Sequence, residues 1–170
     1  MFTDSQRLPD PRSAARLLPR GLAGIVLRHD HDPSREALAR DLAKICRARR
    51  LVLVVAGDPG LAARVGAGLH LRRGITPRSA CGGRFLRTSS AHNLAELRAS
   101  RRAGAALAFL SPVFPTPSHP GAPALGTVRW AALARQAGLP VAALGGIDGK
   151  TARRLPARLC RGIGAIGAFA

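Results

Sequence analysis

Leu139-Pro140-Val141-Ala142-Ala143-Leu144-Gly145-Gly146-Ile147 reads as a short apolar strand, 140–144, that runs into two glycines. A strand apolar at every position is what a parallel sheet buried on both faces requires. Residues 51–56 have the same character. Outward from these two, residues 24–28, 68–72, 85–89, 106–110 and 162–169 read as further strands. Between them, residues 34–49 carry Leu38, Leu42 and Ile45 at helical spacing, with Ser34 as the expected cap. Residues 59–65, 93–102, 128–137 and 150–159 read as helices, the last interrupted by Pro156. Residues 74–83 read as loop, and a proline-rich loop runs from Pro112 to about Gly126. Regular βα alternation without a linker predicts one α/β domain over 1–170, with a parallel sheet and helical crossovers. The pattern alone leaves an open doubly wound sheet and a (β/α)8 barrel, for which 170 residues is short.

The chain is 46% hydrophobic and 21% charged, which excludes a collagen-like chain, a disulfide scaffold and a membrane-spanning protein. Arg7, Pro9, Asp10, Pro11 and Arg12 break any early apolar stretch, so no leader is read. The net charge of +18 comes almost wholly from arginine, since lysine occurs only at positions 44 and 150. The arginines are spread along the whole length, aromatics are 4% and tyrosine is absent. A nucleic-acid binder more often clusters its charge and adds stacking rings, so nucleic acid fits poorly as the main partner. A positive field still favours small anions such as phosphate esters. Cys46, Cys81 and Cys160 show neither paired nor metal spacing. They read as small buried or semi-buried side chains in a reducing cytoplasm.

Three stretches carry the chemistry. Ser90-Ala91-His92-Asn93 follows a strand, and so does Ser111-Pro112-Val113-Phe114-Pro115-Thr116-Pro117-Ser118-His119. The third is the opening stretch, followed by Gly162-Ile163-Gly164-Ala165-Ile166-Gly167-Ala168. Glycines at the mouth of a strand let a ligand approach the backbone, and paired loops after the last two strands of a barrel often hold a phosphate on N–H groups. Gly145, Gly146, Gly167 and Ala168 are the candidates, with tight strand–helix packing as the other explanation. His92 is a candidate acid/base, because a neutral imidazole gives and takes protons near pH 7. The alternative is that Ser90 and His92 cap the helix that begins at Asn93. In His29-Asp30-His31-Asp32 the two histidines would converge on one strand face, but the segment runs into a loop and no metal is assigned to it.

In order and spacing these stretches resemble the thiamine phosphate synthase/TenI family. They match its S-x-H turn, its P-x-F-P-T-x-(S/T) loop, its P-V-x-A-(I/L)-G-G-I strand and its small-residue terminal strand, and residues 65–71 resemble it too. The resemblance implies a (β/α)8 TIM barrel, with Met1-Phe2-Thr3-Asp4 as a stub of the first strand and no final helix. It implies a phosphorylated thiazole as substrate and, for a synthase, a pyrimidine pyrophosphate as well. His92 matches the histidine proposed as acid/base in TenI-like thiazole tautomerases, and Ser90 the serine of the same turn. Thr116, Ser118 and His119 stand where the family has Thr, Thr and Lys to hold phosphate, and His119 is a weaker cation than lysine.

The departures are as informative. The synthases use a Q-x-R-x-K segment to hold the pyrimidine and its pyrophosphate. The matching Val26-Leu27-Arg28-His29-Asp30 keeps only Arg28 and puts a carboxylate where a lysine stands. The family's Mg²⁺ ligands fall on Ala56, Gly57 and about Ile75, with Asp58 a residue away as a substitute. Magnesium needs hard oxygen ligands, so it is expected only if the synthase reading holds. The thiazole-phosphate half is better kept. The sequence therefore favours a thiazole-phosphate-binding protein of thiamine biosynthesis with tautomerase-like chemistry at His92. The alternatives are a divergent synthase using Arg28, Asp58 and His119, or a non-catalytic binder of thiamine precursors or RNA. A poorly covered edge in so short a barrel would favour a homo-oligomer.

Overall fold

The computed structural model describes residues 1–78, 86–116, 121 and 123–166. Seven parallel strands make one sheet in the chain order β1-β2-β3-β4-β5-β6-β7. They are β1 (Gly24–Leu27), β2 (Val52–Ala56), β3 (Gly68–Arg72), β4 (Arg87–Ala91), β5 (Leu107–Leu110), β6 (Val141–Leu144) and β7 (Cys160–Gly164). Each strand lies beside its predecessor, so the sheet winds in one direction. A doubly wound sheet reverses its order at a switch point, and this one does not. The amino-terminal segment continues the winding. Val26 N–H donates to Met1 O at 2.9 Å, and Thr3 N–H donates to Val26 O at 3.0 Å. On the other side Phe2 N–H donates to Ala165 O at 2.9 Å, just past β7. Residues 1–3 thus touch both ends of the sheet through single bridges.

Alternation along the strands sorts the core into two layers. Ile25 and Leu27 of β1, with Leu53 and Val55 of β2, face outward to α2 (Arg35–Arg49), where Leu38, Leu42 and Cys46 are buried. Val26 and Val54 face inward and pack with Phe2, Ile166, Phe109 and Leu144. On the far side Ala108, Leu110, Val141 and Ala143 pack outward against Trp130 of α5 (Gly126–Gln136). The Trp130 indole N–H also donates to Leu110 O at 3.3 Å. With both faces covered, the strands have to be apolar throughout. The inner layer is tightly shaped, because a Cβ at Gly164 would come within 2.8 Å of the Phe2 ring.

The helices show where local signals governed. α3 (Pro59–Val65) has Asp58 as its N-cap, accepting from Leu61 N–H, proline in its first turn, and left-handed Gly66 at its end. α2 begins as expected, but Ser34 does not cap it. Instead Asp32 Oδ1 accepts from both the Ser34 N–H and its hydroxyl. β4 extends over Arg87–Ala91, two residues beyond the expected strand, and so includes Ser90. α5 starts at Gly126 rather than Val128. The expected helix over 150–159 is reduced to a 3₁₀ turn at Ala152–Arg154. Pro156 has no N–H to give, and Asp148 Oδ1 captures the N–H groups of Lys150 and Thr151. α1 (Arg12–Leu17) was not expected. It has no side-chain cap and buries only Ala15. The last strand ends at Gly164, and residues 167–169 of its expected span lie outside the described residues. No helix among the described residues is long and apolar enough to cross a membrane.

Phe2 is 2% exposed and fills the space between Val26, Phe109 and Ile166. Phe2→Ala should cost about 3–5 kcal/mol of stability. Urea unfolding of the purified variant measures this, and a loss under 1 kcal/mol would mean that the amino-terminal segment is dispensable to the core.

Candidate active site

At the carboxyl ends of the strands lies a cavity of about 600 Å³. Its walls include Arg28 after β1, Ser111 and the 112–116 loop after β5, Gly145 and Gly146 after β6, and Ala165 after β7. Arg7 and Arg154 complete a set of three guanidinium-bearing side chains around it. Arg154 lies over the Phe114 ring, 5.2 Å from its centre. No sequence pattern singled out Arg7 or Arg154 from a background rich in arginine.

The two glycines have a concrete reason. Val113 N–H donates to Leu144 O at 3.0 Å, and Phe114 N–H to Gly145 O at 3.1 Å, so the 112–115 loop runs directly against the end of β6. A Cβ at Gly145 (φ +94°) would sit 2.8 Å from Pro112 Cα, and one at Gly146 (φ +66°) would sit 2.5 Å from Pro115 O. Close packing therefore accounts for both glycines, against that loop rather than a helix, while both still line the cavity. Thr151 Oγ1 donates to Gly146 O at 2.9 Å and fixes the turn from below. The Asp148 carboxyl, also in the wall, is held below its ordinary range by N–H and hydroxyl donors of Thr151 and the N–H of Lys150.

His92 is half-buried beside this cavity. Its Nδ1 lies 2.9 Å from the carbonyl oxygen of Ser111, and Ser111 itself lines the cavity. A carbonyl only accepts, so Nδ1–H donates to it, and in the neutral ring the lone pair would then be on Nε2. Neither His92 nor Ser90 caps the helix α4 (Leu94–Arg102) through its side chain. Asn93 does so, accepting from Glu96 N–H at 2.9 Å, while Glu96 accepts from His92 N–H at 2.8 Å in return. Ser90 Oγ accepts from Arg73 N–H at 3.3 Å. Thr116 lines the cavity. Ser118, His119, Gly167, Ala168 and Cys81 lie outside the described residues. Burial pushes the Cys46 thiol up to about 11, which makes it inert. Cys160 donates from its thiol to Gly162 O.

A second cavity, of about 410 Å³, lies at the carboxyl ends of β1, β2 and β3. Asp30, His31, Arg35, Ala56, Gly57, His70, Arg72 and Ile75 line it. Its one carboxylate, Asp30, is paired with Arg35 at 3.2 Å and with Arg72. The two histidines considered together in the sequence diverge. His29 is buried with Nδ1 2.9 Å from Thr3 Oγ1, whereas His31 faces this cavity. The positions matched to magnesium ligands, Ala56, Gly57 and Ile75, carry no oxygen side chain. The Asp58 carboxylate is spent as the cap of α3, accepting from Leu61 N–H at 2.8 Å, so it is not a substitute ligand. A carboxylate held by two guanidiniums is a poor ligand for a hard cation. Among the described residues no group of three or more His, Cys, Asp and Glu side chains is placed to hold a metal. These residues do not fit a magnesium site, and no step is assigned to the ion.

A sheet wound in one direction, with its cavities at the carboxyl ends of parallel strands, defines an α/β protein of the barrel-sheet type with its site at the strand mouths. The chain belongs to the thiamine monophosphate synthase (TMP-TENI) family, whose model matches residues 2–169. A thiamine-phosphate synthase of Thioalkalivibrio sulfidiphilus is 30% identical over 154 residues, 85% of this chain and 73% of that protein. One of Thiobacillus denitrificans is 32% identical over 160 residues, 89% and 75% of the two chains. In fold, the chain is similar to a thiamine phosphate pyrophosphorylase from Pyrococcus furiosus. The TM-score is 0.83 at 24% identity, over 98% of this chain and 84% of that one.

His70 lines the smaller cavity, 3% exposed, with Nδ1 2.8 Å from Thr88 Oγ1. Burial first, then the Arg28 and Arg72 cations, lower its pKa from 6.5 to about 3. The unfolded chain therefore takes up a proton that the folded one refuses between those values. The stability this provides is complete above pH 6.5 and falls as pH drops through the window, by at most about 1.4 kcal/mol per unit. Urea midpoints measured from pH 7 to 4.5 should show a steeper fall for the wild type than for His70→Gln. Equal slopes would contradict a neutral, buried His70.

Proposed function

We propose that the chain is a divergent thiamine-phosphate synthase, joining hydroxymethylpyrimidine pyrophosphate to thiazole phosphate with release of pyrophosphate. One observation carries this reading: two cavities lie at the carboxyl ends of the strands, and Arg28 and Asp30, two residues apart, each line a different one. A coupling reaction needs two adjoining subsites, whereas a tautomerase needs one. The names of the curated relatives point the same way.

On this reading the thiazole phosphate occupies the larger cavity. Its phosphate meets Arg28, Arg154 and Arg7, the Thr116 hydroxyl and the backbone at Gly145 and Gly146, with Ser118, His119, Gly167 and Ala168 as further candidates. Guanidinium groups suit phosphate because their planar fork donates two N–H groups at once. Ser90, in β4, lines neither cavity, and no substrate contact is assigned to it. The pyrimidine pyrophosphate takes the smaller cavity, and the thiazole nitrogen displaces its pyrophosphate. Met1–Asp4 is then the first strand of an eight-stranded barrel, supported by its bonds to Val26 and Ala165. The cytoplasm, where thiols stay reduced, is the matching compartment.

One geometric fact favours a second reading. With Nδ1–H fixed on Ser111 O, His92 offers Nε2 as a base, which is the arrangement a thiazole tautomerase would use.

The test is a coupling assay with both substrates, following thiamine phosphate over many turnovers. We expect steady product formation. Arg28→Ala should lower kcat/KM at least tenfold, about 1.4 kcal/mol of transition-state stabilisation. If no product forms while thiazole phosphate still raises the melting temperature, coupling is overturned. The His92 reading would then stand, to be followed by thiazole aromatisation in wild type and His92→Asn.

A further inference from the structure

We propose that the smaller cavity is a metal-independent pyrophosphate subsite, in which guanidinium groups supply the positive charge a divalent cation would otherwise bring. Its role in a reaction rests on the synthase reading above, but its existence as an anion site does not.

Arg35 and Arg72 line the cavity. Against these two cations stands one carboxylate, Asp30. Asp30 engages Nη2 of Arg35 at 3.2 Å and Nη2 of Arg72, one nitrogen from each fork. A guanidinium has five N–H donors, so each arginine keeps donors beyond that pair. Arg35 is further fixed by Nη2 donating to Ala56 O at 2.6 Å. Its Nε–H is buried with no acceptor among the described residues. Asp30 thus occupies one nitrogen of each fork, and an incoming anion competes with it for the two guanidiniums.

Gly57 ends β2 with φ +69°, and a Cβ built there would lie 3.7 Å from both Nε and Nη2 of Arg72. The Arg72 guanidinium therefore lies against the floor next to a residue with no side chain. The matched positions Ala56, Gly57 and Ile75 offer no oxygen donor, and Asp58 is turned away to cap α3. What remains at the mouth is a set of planar N–H forks over an open floor, facing His70, which stays neutral. That donor set selects an anion with several oxygens. At about 410 Å³ the cavity has room for pyrophosphate.

The experiment is calorimetric titration of the full chain with inorganic pyrophosphate, in excess EDTA and again in excess Mg²⁺. We expect dissociation constants within threefold of each other. Arg72→Ala should weaken pyrophosphate at least tenfold and leave thiazole phosphate within twofold, which also shows that the variant is folded. Asp30→Asn separates the two accounts most sharply. Removing a competing anion should tighten pyrophosphate several-fold, whereas removing a metal ligand would weaken it. Binding that requires Mg²⁺, wild-type affinity in Arg72→Ala, or weaker binding in Asp30→Asn would each overturn the proposal. Failure of thiazole phosphate alone to bind would count against the synthase reading and leave this subsite standing.

Discussion

The inner layer of the sheet is built from a few large side chains, and the mouth of the molecule rests on them. Phe2 sits edge-on against Phe109, 4.8 Å between ring centres, and against His70 at 5.6 Å. Val26, Val54 and Ile166 close the same cluster. Because side chains alternate along a strand, filling this layer forces the intervening residues outward against the helices. It also sends the residues just past each strand end to the rim. Arg28, Gly57, Ser111, Gly145 and Ala165 reach the mouth for this reason. The amino-terminal segment contributes the central ring of the layer, which explains how so few residues matter so much.

Two kinds of order meet at that mouth. One is backbone packing: the 112–115 loop lies so close to Gly145 and Gly146 that a methyl group at either would collide with it. The other is electrostatic. Arginines from distant parts of the chain converge there, and Asp30 is held between Arg35 and Arg72, the latter 42 positions away in sequence. The larger cavity is therefore shaped mainly by rigid loops and the smaller one mainly by charge. A ligand that brings its own negative charge gains from both.

Much of this was legible in the sequence. α3 and β3 have the bounds their signals imply, since an aspartate cap, a proline and a left-handed glycine leave little freedom. β4 was placed two residues early because Arg87-Thr88-Ser89-Ser90-Ala91 lacks the apolar run that marks the other strands. The helix expected after Lys150 failed because a local Asx turn at Asp148 outcompeted it. The glycines of the third motif were legible as special, but the loop that requires them comes from another motif. The family and the mouth positions followed from the motifs. Arg7, Arg154 and the Arg35–Asp30–Arg72 set did not, because pairings over such separations leave no periodic trace in a chain with arginine throughout.

The central claim is that one mouth holds two anionic ligands side by side. Titrating thiazole phosphate into protein already saturated with inorganic pyrophosphate tests it most directly. The account predicts one-to-one binding of thiazole phosphate that persists at saturating pyrophosphate, weakened only modestly by repulsion between the anions. Competition, with the apparent dissociation constant rising in proportion to pyrophosphate concentration, would show a single shared site and contradict it.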